Sequence, residues 1–239
     1  MIHGMLLTVL GLGFALGLRH ALEPDHVVAV STIVGECKSV RKSSLVGTFW
    51  GLGHMASLLF VSVVVLILRL SIPERVALWM EFAVAVMLVA LGVNAVRRSM
   101  RGWKMHIHMH THDGQRHIHV HLHRPGDEHT HYHRHLLGFR TRPFFIGMVH
   151  GMAGSAALMI LVLATIPSVI GALVYIGVFG LGSIGGMLIM SSLMSLPFAL
   201  TRKRFGMLSE ALQLMVGLSG FAFGLFLLWQ YGFQEHLIH

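Results

Sequence analysis

Six stretches of this 239-residue chain are long and apolar enough to cross a lipid bilayer, at about 5–34, 43–69, 75–97, 143–164, 168–200 and 207–232. A spanning helix needs roughly 20 apolar residues, because the hydrocarbon core is ~30 Å thick and a helix rises ~1.5 Å per residue. Runs of that length fix the fold class. Backbone N–H and C=O groups in hydrocarbon must be satisfied within the chain, so such segments are helices. The composition agrees, with 54% apolar and 12% charged residues, and an all-α polytopic membrane protein is expected. The first run lacks a basic leader and a small-residue cleavage site, so it is read as a retained span. The single cysteine, Cys37, excludes a disulfide within the chain, a Cys-x-x-Cys pair and a thiolate zinc site.

The net charge of +8 would suggest nucleic acid in a soluble chain. Here basic loops account for it, and no nucleic-acid partner is expected. Basic residues cluster at Lys38, Arg41 and Lys42, from Arg97 to Arg142, and at Arg202, Lys203 and Arg204, while 165–168 carries none. Cytoplasmic loops hold the excess of Lys and Arg. The first, third and fifth loops are therefore read as cytoplasmic and both termini as outside, in a multi-pass protein of the cell (inner) membrane. Arg69 and Arg75 make the second loop the least clear.

The halves resemble each other. Gly17-Leu18-Arg19-His20 matches Gly147-Met148-Val149-His150, Gly51-Leu52-Gly53-His54 matches Gly180-Leu181-Gly182-Ser183, and Glu81 matches Glu210, at offsets of 130, 129 and 129 residues. Three matches in one order at nearly one offset point to an internal repeat. Three spans per half would make the copies run in opposite directions, a 3+3 inverted repeat of the kind found in secondary transporters. The expected units are 1–100 (first three-helix repeat), 101–142 (loop) and 143–239 (second repeat).

The first run carries an anomaly. Arg19-His20-Ala21-Leu22-Glu23-Pro24-Asp25-His26 places ionisable groups where a bilayer demands Leu and Val. Each such group costs ~2.5–3.5 kcal/mol at the centre of a membrane helix, and such residues mark ion pathways. The run would also be roughly 44 Å long as one helix, so it must tilt, kink or break, and Pro24 puts the break at 20–24. His20, Asp25 and His26 do not share a face of a straight helix, but a break there can gather them. Imidazole suits Ni, Co, Zn and Cu, and a carboxylate compensates charge. His20, Asp25, His26 and the mid-span His54 are therefore candidate ligands of a divalent transition-metal cation. His150 is read equally as a ligand or as a helix–helix hydrogen-bond partner. Arg19 and Glu23, at i and i+4, are expected to neutralise each other. Glu81 and Glu210 are read as supporting the metal site, as proton carriers or as residues near the outer interface, the last being favoured. No His-Glu-x-x-His motif is present, and no enzymatic reaction is expected.

Twelve histidines lie in the third loop: His106, His108, His110 and His112, then His117, His119, His121 and His123, then His129, His131, His133 and His135. Strict alternation is a strand period, and the intervening Asp113-Gly114 and Pro125-Gly126 are turn sequences. The loop is read either as a small β-meander with one histidine face or as an unstructured metal-buffering tract able to hold Zn2+ or Cu2+ as well. At the other end, Met1-Ile2-His3 places a histidine third from a free amine, an arrangement that binds Ni2+ or Cu2+ in a square plane. The plain alternative for His3 is a histidine at the membrane interface.

Residues 19–26 resemble the His-x4-Asp-His signature of the nickel/cobalt transporter family, and Leu52-Gly53-His54 resembles its second histidine motif. Residues 147–156 are similar to the urease-accessory (UreH-like) proteins of the same superfamily, and the long histidine loop is similar to that of nickel/cobalt exporters. The resemblance implies a secondary transporter of Ni2+ or Co2+, with His20, Asp25, His26 and His54 at its metal site. Glu23-Pro24-Asp25-His26-Val27 departs from the uptake members' Asp-Ala-Asp-His before isoleucine. Uptake is the expected direction. Export through the same site is one alternative. A membrane-anchored metal store or donor built on the loop, with a cytosolic metallochaperone as partner, is the other.

Overall fold

A computed structural model describes residues 2–35, 37, 39–68, 72–101, 105–112, 115–122, 141–154, 166, 168–204, 206–235 and 237. Its helices are α1 (Ile2–His20), α2 (Pro24–Val34), α3 (Val40–Leu68), α4 (Glu74–Arg101), α5 (141–154), α6 (Val169–Arg204) and α7 (Gly206–Trp229), the last continuing into a π-helical turn at Gln230–Gln234. Four of them are long and apolar enough to cross a membrane: Val40–Leu68, Glu74–Met100, Val169–Thr201 and Met207–Gln234. The expected span at 143–164 corresponds to α5 only up to residue 154, and its remainder lies outside the described residues.

The expected run at 5–34 is two helices. α1 ends at His20, and a turn closes with Leu22 N–H donating to the Arg19 carbonyl (2.8 Å) and Glu23 N–H to the His20 carbonyl (3.1 Å). Glu23 is extended (φ −61°, ψ 143°), the conformation a residue before proline prefers. Pro24 then opens α2 at the position where its missing N–H costs nothing. Asp25 falls in the first turn of α2, at the positive end of the helix dipole. With 11 residues, α2 is only ~16 Å long, half a bilayer.

Side-chain-free approaches bring the helices together. Gly17 of α1 meets the backbone of Phe179 and Ser183 on α6, and Gly182 of α6 meets that of Phe14 and Leu18 on α1. Gly147 of α5 meets the backbone of Trp50 on α3, and Gly53 of α3 meets that of Phe144 and Met148 on α5. The two crossings use equivalent positions, since Phe14, Gly17 and Leu18 correspond to Phe144, Gly147 and Met148 at the 130-residue offset, and Trp50 and Gly53 to Phe179 and Gly182 at 129. α3 and α6 pack on each other through Gly51 against Ile184 and Gly180 against Met55. α4 pairs with α7, where Gly92 meets the backbone of Phe221.

Buried side chains form two apolar clusters, one around Trp50, Leu88 and Met187 and one around Leu58, Ile176 and Phe179. Large apolar side chains also cover the outside, with Phe60 70%, Leu200 73% and Ile170 76% exposed. Helices apolar on every face belong in lipid, and the protein is an integral membrane protein. Buried serines such as Ser57 and Ser62 return their hydroxyls to helix carbonyls, to His54 (2.9 Å) and Leu58 (2.6 Å), which satisfies those donors within their own helix.

In the third loop, β1 (Met105–His112) and β2 (Gln115–Leu122) pair antiparallel. Their register sets His106 opposite His121, His108 opposite His119 and His110 opposite His117. The alternation thus forms two strands as its period requires. Among the described residues the sheet is a two-stranded hairpin; the third block, His129–His135, and His123, on which the expected meander depends, lie outside the described residues.

Candidate metal centre

The break between α1 and α2 determines the centre. In a straight helix His20 and His26 would stand ~9 Å apart along the axis. Here their ring centroids are 4.5 Å apart and the rings meet edge to face. α3 adds His54, fully buried, with its Nε2 3.1 Å from His20 Nε2. α5 adds His150, 2% exposed, with its ring centroid 4.0 Å from that of His26. Four histidines and Asp25 therefore converge from four helices.

Asp25 is the electrostatic hub. Its Oδ1 accepts the His26 backbone N–H (2.8 Å) and lies 3.0 Å from His26 Nδ1, while Oδ2 lies 2.9 Å from His150 Nε2. An ionised carboxylate only accepts hydrogen bonds, so both imidazole nitrogens facing it carry protons. His26 Nε2 is then left with a lone pair, and it is buried without a hydrogen-bond partner among the described residues. Glu23 acts likewise on His20, its Oε1 3.0 Å from His20 Nδ1. That contact puts the His20 proton on Nδ1 and turns the Nε2 lone pair toward His54. A carboxylate behind an imidazole fixes the tautomer and raises basicity in metal sites. Glu23 therefore pairs with His20 one turn away, in place of the expected partner Arg19.

His54 Nδ1 and His150 Nδ1 are also buried without partners among the described residues. Stranding three imidazole nitrogens in a low-dielectric interior costs free energy, and a cation on the His26 Nε2 lone pair would remove part of that cost. Within this cluster two trios, His20/His26/His54 and Asp25/His26/His150, each bring one donor atom per residue to within 4.8 Å of one another. A cavity of ≈ 500 Å³ reaches the cluster, lined by His20, Asp25, His26 and His150 and, on the opposite wall, by Glu81 and Tyr231.

The candidates named from sequence thus divide. His20, Asp25, His26, His54 and His150 come together, and the equal alternative for His150 also holds, since its contact with Asp25 is an interhelical hydrogen bond. His3 and the strand histidines have side chains outside the description. Glu81 lines the cavity, and the Glu210 carbonyl accepts from Ser99 Oγ (3.3 Å). Sequence reasoning missed Trp50, whose ring centroid is 5.7 Å from that of His150. Its signal was its position one turn before His54 on the same helix face. Tyr231 had none, because its place depends on how α7 packs.

An apolar helical bundle with a buried imidazole–carboxylate cluster and an access cavity defines a class: integral membrane proteins that handle a transition-metal cation. The particular family follows from comparison with known proteins. Residues 6–207 match NicO, the high-affinity nickel-transport protein family, and the chain belongs to that family. It is 36% identical to the urease accessory protein UreH of Bacillus sp. over 97% of this chain and 95% of that one. It is 30% identical to the high-affinity nickel transport protein of Cupriavidus necator over 30% of this chain and 21% of that one. The chloroplast protein FOR GROWTH AND FERTILITY 2 of Arabidopsis thaliana is 26% identical over 74% and 44% respectively. No solved structure matches the chain.

Proposed function

We propose that the protein is a secondary transporter that moves Ni2+, and Co2+ as the neighbouring cargo, inward through the His20/Asp25/His26/His54/His150 cluster. The observation that carries this reading is the convergence of four imidazoles and Asp25 around the buried, unpartnered His26 Nε2, beside a cavity lined by His20, Asp25, His26 and His150. Family membership and the relative named as a nickel transport protein support the choice of metal. Neutral imidazole is a borderline donor that strips water from such cations, while one carboxylate offsets part of their charge.

The equivalent glycine crossings, α1 on α6 and α5 on α3, support a six-span 3+3 inverted repeat with units 1–100 and 143–239 around the loop at 101–142. On the basic-loop reading, both termini and the second loop lie outside and the histidine loop is cytoplasmic. The cavity is lined by Glu81 near the start of α4 and Tyr231 after the end of α7, so on that topology it faces outward. A cation entering there meets His20 and Asp25 first. The twelve loop histidines then buffer metal on the far side, with Zn2+ or Cu2+ as competitors and a metallochaperone as the receiver. His3 remains a candidate for outer capture.

Flux of 63Ni2+ into and out of proteoliposomes of the purified chain, at fixed protein orientation, tests the reading. Inward flux supports it. Outward flux alone would make the protein an exporter with the same site, and bound metal without flux would make it a store.

A further inference from the structure

The five donors of the cluster do not form one coordination sphere. Donors around one ion, each ~2.0–2.2 Å from it, can be no more than about 4.4 Å apart. The groupings in which one donor atom per residue lies within 4.8 Å of the others are two trios that share only His26. We propose that these trios, His20/His26/His54 and Asp25/His26/His150, are two overlapping seats for a single Ni2+, and that His26 passes the ion from one to the other. The proposal rests on the transport reading above and specifies its path.

The seats differ in chemistry. The first is three neutral imidazoles. The 3.1 Å between His20 Nε2 and His54 Nε2 is the separation of two adjacent nitrogen ligands, since ~2.0–2.1 Å bonds at roughly 90–109° subtend about 2.8–3.4 Å. His26 Nε2 already carries a free lone pair, and Glu23 has aimed that of His20. The second seat contains the carboxylate, but there the ion must replace the proton that His150 Nε2 shares with Asp25 Oδ2 (2.9 Å). That proton can move to His150 Nδ1, which is buried and unpartnered among the described residues. Each seat therefore needs one imidazole proton to move from Nε2 to Nδ1, that of His54 in the first and that of His150 in the second, and only the second offers a carboxylate. Neither holds the ion with the full donor set, as conduction through a binding site requires.

Double occupancy is excluded twice over, because both seats need His26 and two dications so close repel strongly in a low dielectric. Trp50 packs beside His150 and His54 from the same helix, which holds the second seat's imidazole apart from the first.

The test uses the full-length chain with the loop histidines between 106 and 135 replaced by glutamine, purified in detergent and loaded with one equivalent of Ni2+. X-ray absorption counts imidazoles by their outer-shell scattering, and titration gives Kd. His150→Ala should bind one Ni2+ with three imidazoles and no carboxylate. His54→Ala should bind one with two imidazoles and a carboxylate. Both should stay within about tenfold of the parent in Kd, while His26→Ala should bind more than a hundredfold more weakly. The glutamine variants at the same positions give the comparison with side-chain volume retained. Identical donor counts in the His54 and His150 variants, or a second equivalent bound as tightly as the first, would overturn the two-seat proposal while leaving transport intact. A parent chain that binds no Ni2+ would overturn the transport reading itself.

Discussion

The Nε2 atoms of His20 and His54 face each other across 3.1 Å, from helices that do not adjoin in sequence. Two like-charged imidazolium groups could not sit this way, and two neutral ones need a single proton or a cation between them. On the transport reading, the pair marks where a cation would take the place of that shared proton.

Asp25→Asn keeps the shape of the hub and removes its charge. An amide nitrogen facing His26 Nδ1 or His150 Nε2 would oppose a donor with a donor, so at least one of the contacts at 3.0 and 2.9 Å must break. Ni2+ affinity should fall by no more than about tenfold, because the His20/His26/His54 seat is left in place, and flux should be lost. Isothermal titration and flux on the folded variant check this, and wild-type flux would remove Asp25 from the centre.

Glu23→Ala should weaken Ni2+ binding about 10–100-fold, the usual effect of losing a carboxylate behind a metal-binding imidazole. Glu23→Gln, which still accepts a hydrogen bond from His20 Nδ1, should recover most of the loss. A role in charge balance alone predicts the opposite, with Gln as poor as Ala. Kd measured across pH adds a second readout. Protons compete with the cation for the imidazoles, so binding weakens as pH falls.

Gly17 and Gly147 sit at equivalent crossings and press on backbone with no room for a Cβ. Gly17→Val or Gly147→Val must push two helices apart, and overpacking of this kind costs ~1–3 kcal/mol or more. Both should lower the thermal midpoint in detergent by several degrees and loosen Ni2+ binding, because His20 and His150 lie three residues beyond them. Gly177, with open space around it, is the control, and Gly177→Ala should leave both unchanged. If Gly17→Val is equally silent, the crossing does not position the site.

Deleting 106–135 should leave Ni2+ flux measurable while removing most of the metal that co-purifies with the chain. Atomic absorption on the purified deletion, alongside flux, separates the two. Loss of flux in a correctly inserted deletion would place the loop in the pathway and not beside it.

The sequence by itself determined the membrane class, the break at Pro24 and most of the residues that gather in the histidine–aspartate cluster. Each follows from local physics: apolar length against bilayer thickness, a ring that cannot donate or continue a helix, and ionisable groups too costly to bury without purpose. It also carried the glycines of both crossings, though not which helix each would meet. Only the tertiary structure decided that His20 faces His54, that Asp25 holds His26 and His150 together, that Glu23 turns to His20 and not to Arg19, and that Glu81 looks into the cavity. Those relations depend on angles and distances between helices up to 125 residues apart in sequence. They are set by backbone packing at Gly17, Gly53, Gly147 and Gly182, where the absence of a side chain records that something comes close without recording what.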